Sequence, residues 1–182
     1  MDVNLWIVTG WRGSGKTTFC RALLQRARLS GWDAAGLLSP AVFQGRIKYS
    51  ILAEDIRSGE RRLLATAHPQ TETDLAFGQW FFHRNTLDWG NRMLQSSVPC
   101  DLLVIDELGP LEFNLSSGWV SALEVIRTAQ FRLALVVIRT ELLEQAQHTL
   151  RPNHTIQMNQ VNEVDDRVLQ CPPCLIHLKE AS

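Results

Sequence analysis

Apolar and polar positions along the chain follow two periods, and their order predicts strands that alternate with helices. Residues 3–9, VNLWIVT, form a β-branched apolar run that is typical of a buried strand. In residues 19–29 the apolar side chains recur at helical spacing. Residues 101–106 and 131–138 are further apolar runs of strand length. Strands that are apolar on both faces lie in parallel sheets covered by helices, so the pattern predicts an α/β sandwich with a mainly parallel sheet.

The remaining elements fit the same three-layer arrangement, with one insert. Residues 46–54 and 61–67 are extended runs separated by turn-forming residues, which predicts an inserted β-hairpin. Further predicted strands cover residues 33–38, 75–83 and 155–158, and further predicted helices cover residues 86–96, 116–130 and 141–150. Thr86 is the predicted N-cap of the first of these helices. No linker or low-complexity tract interrupts the chain, so we predict one domain over residues 1–182.

Between the first strand and the first helix lies GWRGSGKTT, residues 10–18, which is a complete Walker A motif. Its glycines let successive backbone N–H groups point at phosphate oxygens. Lys16 supplies a charge for the β- and γ-phosphates, and the Thr17 hydroxyl is a ligand for Mg²⁺. The residues predicted to bind the nucleotide are Gly10, Trp11, Arg12, Gly13, Ser14, Gly15, Lys16, Thr17 and Thr18. The sequence therefore predicts a P-loop NTPase fold that binds ATP, GTP or another NTP.

The apolar strand DLLVID, residues 101–106, ends in an acid and is followed at once by Glu107. In P-loop proteins the acid at such a strand end holds Mg²⁺, which predicts a Walker B role for Asp106 beside Thr17. Glu107 is the predicted catalytic group that orients or deprotonates the attacking water, and the alternative is a surface carboxylate. Arg139 follows the neighbouring strand, either as a γ-phosphate sensor or as an ordinary residue at a strand end. Lys16, Glu107 and Arg139 are thus the predicted catalytic residues.

Composition and charge exclude several partner classes. The 182 residues contain 18 Lys and Arg against 19 Asp and Glu, a net charge of −1. No bulk attraction to nucleic acid or to an anionic membrane follows from that balance. No apolar run approaches the roughly 20 residues of a membrane span, and no signal peptide pattern opens the chain. We therefore expect a cytoplasmic protein that binds a nucleotide, without a membrane or a nucleic acid as its partner, and the sequence does not identify a protein partner.

The spacing Cys171-Pro-Pro-Cys174, followed by His177, allows two interpretations. Structural zinc needs four ligands, and His148 or His154 would have to complete the set. Two prolines between the cysteines do not suit a redox turn, and no thioredoxin-like context precedes them. We favour ordinary packing over a metal site.

The segment IDELGPLE, residues 105–112, together with the Walker A loop, resembles a nucleoside-triphosphatase family first described from thermophiles. This is a P-loop family of the additional-strand, catalytic-glutamate division, and the similarity runs over nearly the whole chain. The resemblance implies Mg²⁺-dependent hydrolysis of several NTPs to NDPs with weak base discrimination. It maps phosphate binding onto residues 10–18, the metal onto Thr17 and Asp106, and catalysis onto Glu107. Residues 162–165, NEVD, depart from the asparagine-arginine-aspartate that family members often carry after the last strand.

Two other functions use the same loop. A small-molecule or polynucleotide kinase commonly has an acceptor-binding acid near the end of the second strand, where this chain has Leu38-Ser39-Pro40. An NTP-binding switch or accessory protein would turn over only with a partner. Residues 106–109 also match the DxxG pattern of GTPases, but the lysine-containing element that reads guanine is missing after the last strand. The sequence favours a nucleoside-triphosphatase with weak base selectivity.

Overall fold

Ten strands form one mixed sheet in the computed structural model, which describes residues 4–158. The strands are β1 (Asn4–Gly10), β2 (Ala34–Leu38), β3 (Ala41–Gln44), β4 (Ile47–Asp55), β5 (Arg61–Thr66), β6 (Leu75–Phe77), β7 (Trp80–Phe82), β8 (Cys100–Leu108), β9 (Phe131–Ile138) and β10 (His154–Met158). The helices are α1 (Lys16–Leu29), α2 (Arg84–Gln95), α3 (Pro110–Phe113), α4 (Val120–Thr128) and α5 (Leu143–Leu150), with a 3₁₀ turn at Thr140–Leu142. The strand order is β10-β1-β9-β8-β2-β4-β5-β7-β6, and β3 pairs with β4.

The five strands from β10 to β2 are parallel. Four of them, β1, β9, β8 and β2, are buried on both faces, whereas β10 is a partly exposed edge strand. Along β1, Leu5 and Ile7 pack into one core cluster, whereas Trp6 and Val8 pack into the other. Helix α1 covers the cluster of Trp6, and helices α2 and α4 cover the cluster of Leu5. Two apolar faces on one sheet require helices on both sides, so the predicted three-layer α/β sandwich is confirmed.

The antiparallel half of the sheet is larger than the predicted hairpin. Strands β4 and β5 form that hairpin, and β4 also pairs antiparallel with the end of β2. Strand β3 was not predicted, because its four residues are too short for a periodic signal. The prediction of one strand over residues 75–83 was wrong: β6 and β7 form a tight hairpin that turns at Gly78, whose φ is +60°. A positive φ suits glycine, and it reverses the chain within an otherwise apolar run.

Two helix starts differ from the prediction. Helix α2 begins at Arg84, so Thr86 is not its N-cap; its hydroxyl instead donates a hydrogen bond of 2.8 Å to the Leu63 carbonyl. Helix α4 begins at Val120 rather than near residue 116, because Gly118 has a left-handed φ of +72° that interrupts the helix. Among the described residues no helix is both long enough and apolar enough to cross a membrane.

Strand β9 lies between β1 and β8. All three strands are parallel, so their carboxyl ends meet at one edge of the sheet. The Walker A loop follows β1, the acidic pair closes β8, and Arg139 follows β9 directly. Ligands of open α/β sheets bind outside these carboxyl ends, so this edge is the candidate site.

Candidate active site

Glycines set the conformation of the loop between β1 and α1. A Cβ atom at Gly10 would lie 2.5 Å from the Met158 carbonyl oxygen, so only glycine fits there. Gly15 has a left-handed φ of +87° and is the N-cap of α1, which starts at Lys16, three residues before the predicted helical run. The Lys16 ammonium lies across the loop and donates to the carbonyl oxygens of Gly10 at 2.6 Å and Trp11 at 2.8 Å. The loop thus combines a helix N-terminus with a lysine, as an anion site requires.

The other loop residues differ in exposure. Ser14 is buried, and its hydroxyl has no hydrogen-bond partner among the described residues. Trp11 is 70% exposed, and Arg12, Gly13 and Thr18 are exposed as well. A flat exposed indole at a phosphate loop can stack on a base or on a partner surface.

Thr17 and Asp106 meet at the centre of the site. The Thr17 hydroxyl donates to Asp106 Oδ2 at 2.8 Å, and the Ser39 N–H donates to the same oxygen at 3.3 Å. Asp106 is 3% exposed. Its burial raises the pKa of its carboxyl group, against the hydrogen bond from Thr17, and the nearby Glu107 raises it further. The strand end and the helix start are therefore joined by two oxygen ligands of the kind that Mg²⁺ prefers.

A β-bulge in β8 sets the orientation of Glu107. Asp106 is paired with Val137 and Leu108 with Ile138, so Glu107 is an extra residue in β8. In a regular strand, Asp106 and Leu108 would share a face. Instead Leu108 packs with Leu103 and Ile105, which belong to the opposite face. The bulge thus lets two consecutive acids end the strand at one edge of the sheet.

Glu107 forms an ion pair with Arg139. Arg139 Nε donates to Glu107 Oε1, and about a third of each side chain is exposed. The pair joins the ends of β8 and β9, beside the Walker A loop. The structure therefore brings together Lys16, Thr17, Asp106, Glu107 and Arg139, which the sequence had proposed as separate pieces of one site.

The Glu112 carboxylate holds the loop after Glu107 through hydrogen bonds from two backbone N–H groups. Glu112 Oε2 accepts the Gly109 N–H and Oε1 accepts the Trp119 N–H, both at 2.7 Å. Burial raises the pKa of Glu112 to about 7, against the lowering effect of these two hydrogen bonds. The backbone that follows Glu107 is thereby held to the start of α4.

Lys48, on β4, is a site residue that sequence reasoning missed. It lines a small cavity of about 80 Å³ together with Ser39, Glu107 and Arg139. No local signal could have found it, because its position depends on the pairing of β4 with β2. Ser39 was considered only for the acid it lacks, yet its backbone contacts Asp106.

The structure describes only two of the side chains that were considered as zinc ligands. Cys171, Cys174 and His177 lie outside the described residues. His148 is exposed on α5, and His154 contacts the Trp6 ring edge-on at 5.0 Å. Within residues 4–158 no group of three or more metal-binding side chains occurs. The interpretation of the cysteine pair as packing therefore stays a prediction.

A mainly parallel sheet, a glycine-rich loop after its first strand, a lysine across that loop and an acid at the carboxyl end of another parallel strand define a P-loop nucleotide-binding protein. The model of a family described as NTPase matches residues 6–169. The chain belongs to this NTPase family. Hydrolysis of nucleoside triphosphates is accordingly its activity.

Individual relatives agree with the family. The chain is 26% identical over 155 residues to nucleoside-triphosphatase THEP1 of Caldivirga maquilingensis, covering 85% of this chain and 86% of the relative. It is 30% identical over 135 residues to the THEP1 protein of Thermococcus kodakarensis, covering 71% and 73%. The solution structure of a human cancer-related nucleoside triphosphatase is similar with a TM-score of 0.65 and 22% identity, over 98% of both chains. The crystal structure of THEP1 from Aquifex aeolicus has a TM-score of 0.56 at 18% identity, over 91% and 95%. The two structural likenesses support the fold.

Proposed function

We propose that the chain is a Mg²⁺-dependent nucleoside-triphosphate phosphohydrolase that releases NDP and phosphate with weak base selectivity. The observation that carries the proposal is the 2.8 Å contact between the Thr17 hydroxyl and Asp106 Oδ2. It joins the phosphate loop to the end of β8, where Thr17 and Asp106 would hold a divalent metal that supplies positive charge to the phosphates. A structural loop without nucleotide would have no reason to bury a carboxylate there.

The donor set fits Mg²⁺. Asp106 is buried, and among the described residues no lysine or arginine forms an ion pair with it. The Ser39 hydroxyl is also buried without a hydrogen-bond partner in that part of the chain. Hard oxygen atoms and an uncompensated carboxylate suit a divalent cation that keeps part of its water shell. When bound, the ion would neutralise charge on the phosphate oxygens.

Three side chains would carry the chemistry of the proposed reaction. Lys16 binds the β- and γ-phosphates, since its ammonium already lies over the loop. Glu107 orients the attacking water and takes its proton, and its partial exposure supports access to water. Arg139 holds Glu107 in an ion pair and would supply hydrogen-bond donors to the γ-phosphate. The phosphate contacts themselves come from residues 10–18.

The finer classification belongs to the same proposal. We place the chain in the additional-strand, catalytic-glutamate division, as one domain. Strand β9 between β1 and β8, and Glu107 directly after Asp106, support this placement. We also propose a cytoplasmic location, where nucleoside triphosphates are abundant.

One experiment separates hydrolase from kinase and switch. The protein is incubated with Mg²⁺ and each NTP, with and without nucleoside or oligonucleotide acceptors, and the γ-phosphate is followed. We expect free phosphate in every case, at specificity constants for ATP and GTP within about tenfold, or ~1.4 kcal/mol. Phosphate on an acceptor would contradict the proposal, and so would turnover that is unchanged when EDTA removes the metal.

A further inference from the structure

Lys48 belongs to the antiparallel insert but lies at the catalytic edge. Strand β4 pairs with the end of β2 through Leu37 and Leu38. The next residue, Ser39, donates its N–H to Asp106. Lys48 lines one cavity with Ser39, Glu107 and Arg139. The insert thus brings a cation into the cavity that Glu107 and Arg139 line.

Lys48 and Lys16 share three charged neighbours. Burial lowers the pKa of the Lys48 ammonium, Glu107 and Asp106 raise it, and Arg12 and Arg139 lower it. Burial likewise lowers the pKa of Lys16, whose neighbouring charges include Glu107, Asp106 and Arg139. Glu107, Asp106 and Arg139 therefore influence both lysines. Of these three groups, Glu107 and Arg139 also line the cavity of Lys48.

Lys48 is held without a carboxylate partner. In the part of the chain that the structure describes, it forms no ion pair, and its ammonium lies 5.0 Å from the centre of the Trp80 ring. A lysine on a sheet usually extends its ammonium into water, whereas this one is only partly exposed. A half-buried cation beside a phosphate site is stabilised by an anion, and a triphosphate is the anion that this site takes.

We propose that Lys48 is a further catalytic residue, whose ammonium contacts the γ-phosphate and stabilises the charge of the transition state. The inference rests on the proposed function. In the reaction, the water oxygen forms a bond to the γ-phosphorus while the bond to the bridging oxygen breaks. The electron pair leaves on the NDP, and the water proton goes to Glu107. Lys48 would thus add a second fixed cation, besides Lys16, for the charge on the equatorial oxygens in the transition state.

The test compares Lys48→Met and Lys48→Arg with the parent protein. We expect Lys48→Met to lower kcat by about 10²–10³, the usual effect of removing one fixed transition-state contact. Its Kd for NDP should change by less than about threefold, whereas its affinity for NDP with aluminium fluoride, which imitates the transition state, should fall by about the same factor as kcat. Lys48→Arg should recover part of both losses, since it keeps the charge.

Arg62→Met is the matched control. Arg62 also lies on the insert and also holds its cation over an indole, that of Trp89 at 4.7 Å. Its loss should leave kcat and analogue affinity within about threefold of the parent. Equal analogue affinity of Lys48→Met and the parent would overturn the role of Lys48, while Glu107-dependent hydrolysis by the parent would keep the proposed function intact. Absence of phosphate release by the parent would overturn the proposed function itself.

Discussion

Arg139 and Glu107 form an ion pair across the ends of the neighbouring strands β9 and β8. The carboxylate proposed to activate water is therefore held by a guanidinium before nucleotide arrives. The pair uses Nε of Arg139, and a guanidinium has five N–H donors, so its other donors could contact a γ-phosphate while Nε still holds Glu107.

Glu107→Gln keeps the shape of the side chain and removes its basicity. We expect kcat to fall by about 10²–10⁴, the span of a positioned general base. The Kd for NTP should change by less than about threefold, or ~0.7 kcal/mol, since Glu107 acts on water and not on phosphate. Glu124→Gln, an exposed change on α4, is the control and should behave as the parent. Hydrolysis by Glu107→Gln at the parent rate would show that Glu107 is a surface carboxylate at the strand end without a catalytic role.

Arg139→Gln tests whether the ion pair works as a unit. Alone it should lower kcat by about 10²–10³, as expected for a lost transition-state contact. Residues that act together lose activity non-additively. The double variant Glu107→Gln/Arg139→Gln should therefore be about as slow as the slower single variant. Measured rates whose losses multiply would show that the two side chains act independently.

Lys16→Ala should remove activity and leave the fold. The recorded hydrogen bonds of the ammonium are to two carbonyls of its own loop, so no core contact is lost. We expect turnover to fall by about 10²–10³ with an unchanged circular dichroism spectrum. Arg26→Ala, at an exposed position of the same helix, controls for the loss of a charge. Parent turnover in Lys16→Ala would refute the assignment of the loop.

Glu112 predicts how stability depends on pH. Burial raises the pKa of Glu112 from 4.5 to about 7, so between these values the folded protein binds more protons than the unfolded chain. Stability then falls as pH rises through this window, by at most ~1.4 kcal/mol per pH unit, and this contribution is constant above it. Glu112→Gln should lack that slope. Urea unfolding from pH ~5 to ~8 gives the free energy of unfolding of the parent and of Glu112→Gln. The difference between the two values removes the contributions of titrating groups that both proteins share. Parallel pH curves would contradict the prediction.

Much of the fold could be predicted because its evidence is local. Strands β1, β8 and β9 are apolar on both faces, and the bounds predicted for β9 are those observed, Phe131–Ile138. The elements that were missed depend on single residues or on contacts distant in sequence. Gly78 alone divides β6 from β7, and α3 is a single turn held by Glu112. Neither feature produces a periodic pattern of apolar residues in the sequence.

The candidate site divides in the same way. Residues 10–18 and Asp106 with Glu107 are motifs whose chemistry can be read along the chain. Lys48 could not be found, because only the pairing of β4 with β2 brings it to the catalytic edge. The bulge at Glu107 was equally hidden, since it appears only in the register between β8 and β9. The catalytic and binding roles of these residues stay predictions until the variants are measured.

Because of the bulge in β8, the orientation of the Glu107 side chain depends on the packing of the neighbouring residue, Leu108. Straightening β8 would move Leu108, which is fully buried, out of its place in the core. Misplacing a leucine of that kind is comparable to losing its packing, about 2–5 kcal/mol. The orientation of the Glu107 carboxylate is thus maintained by the buried Leu108, and selection for stability alone would preserve it. A chain that had lost its activity by mutation elsewhere would still present Glu107 at the same angle.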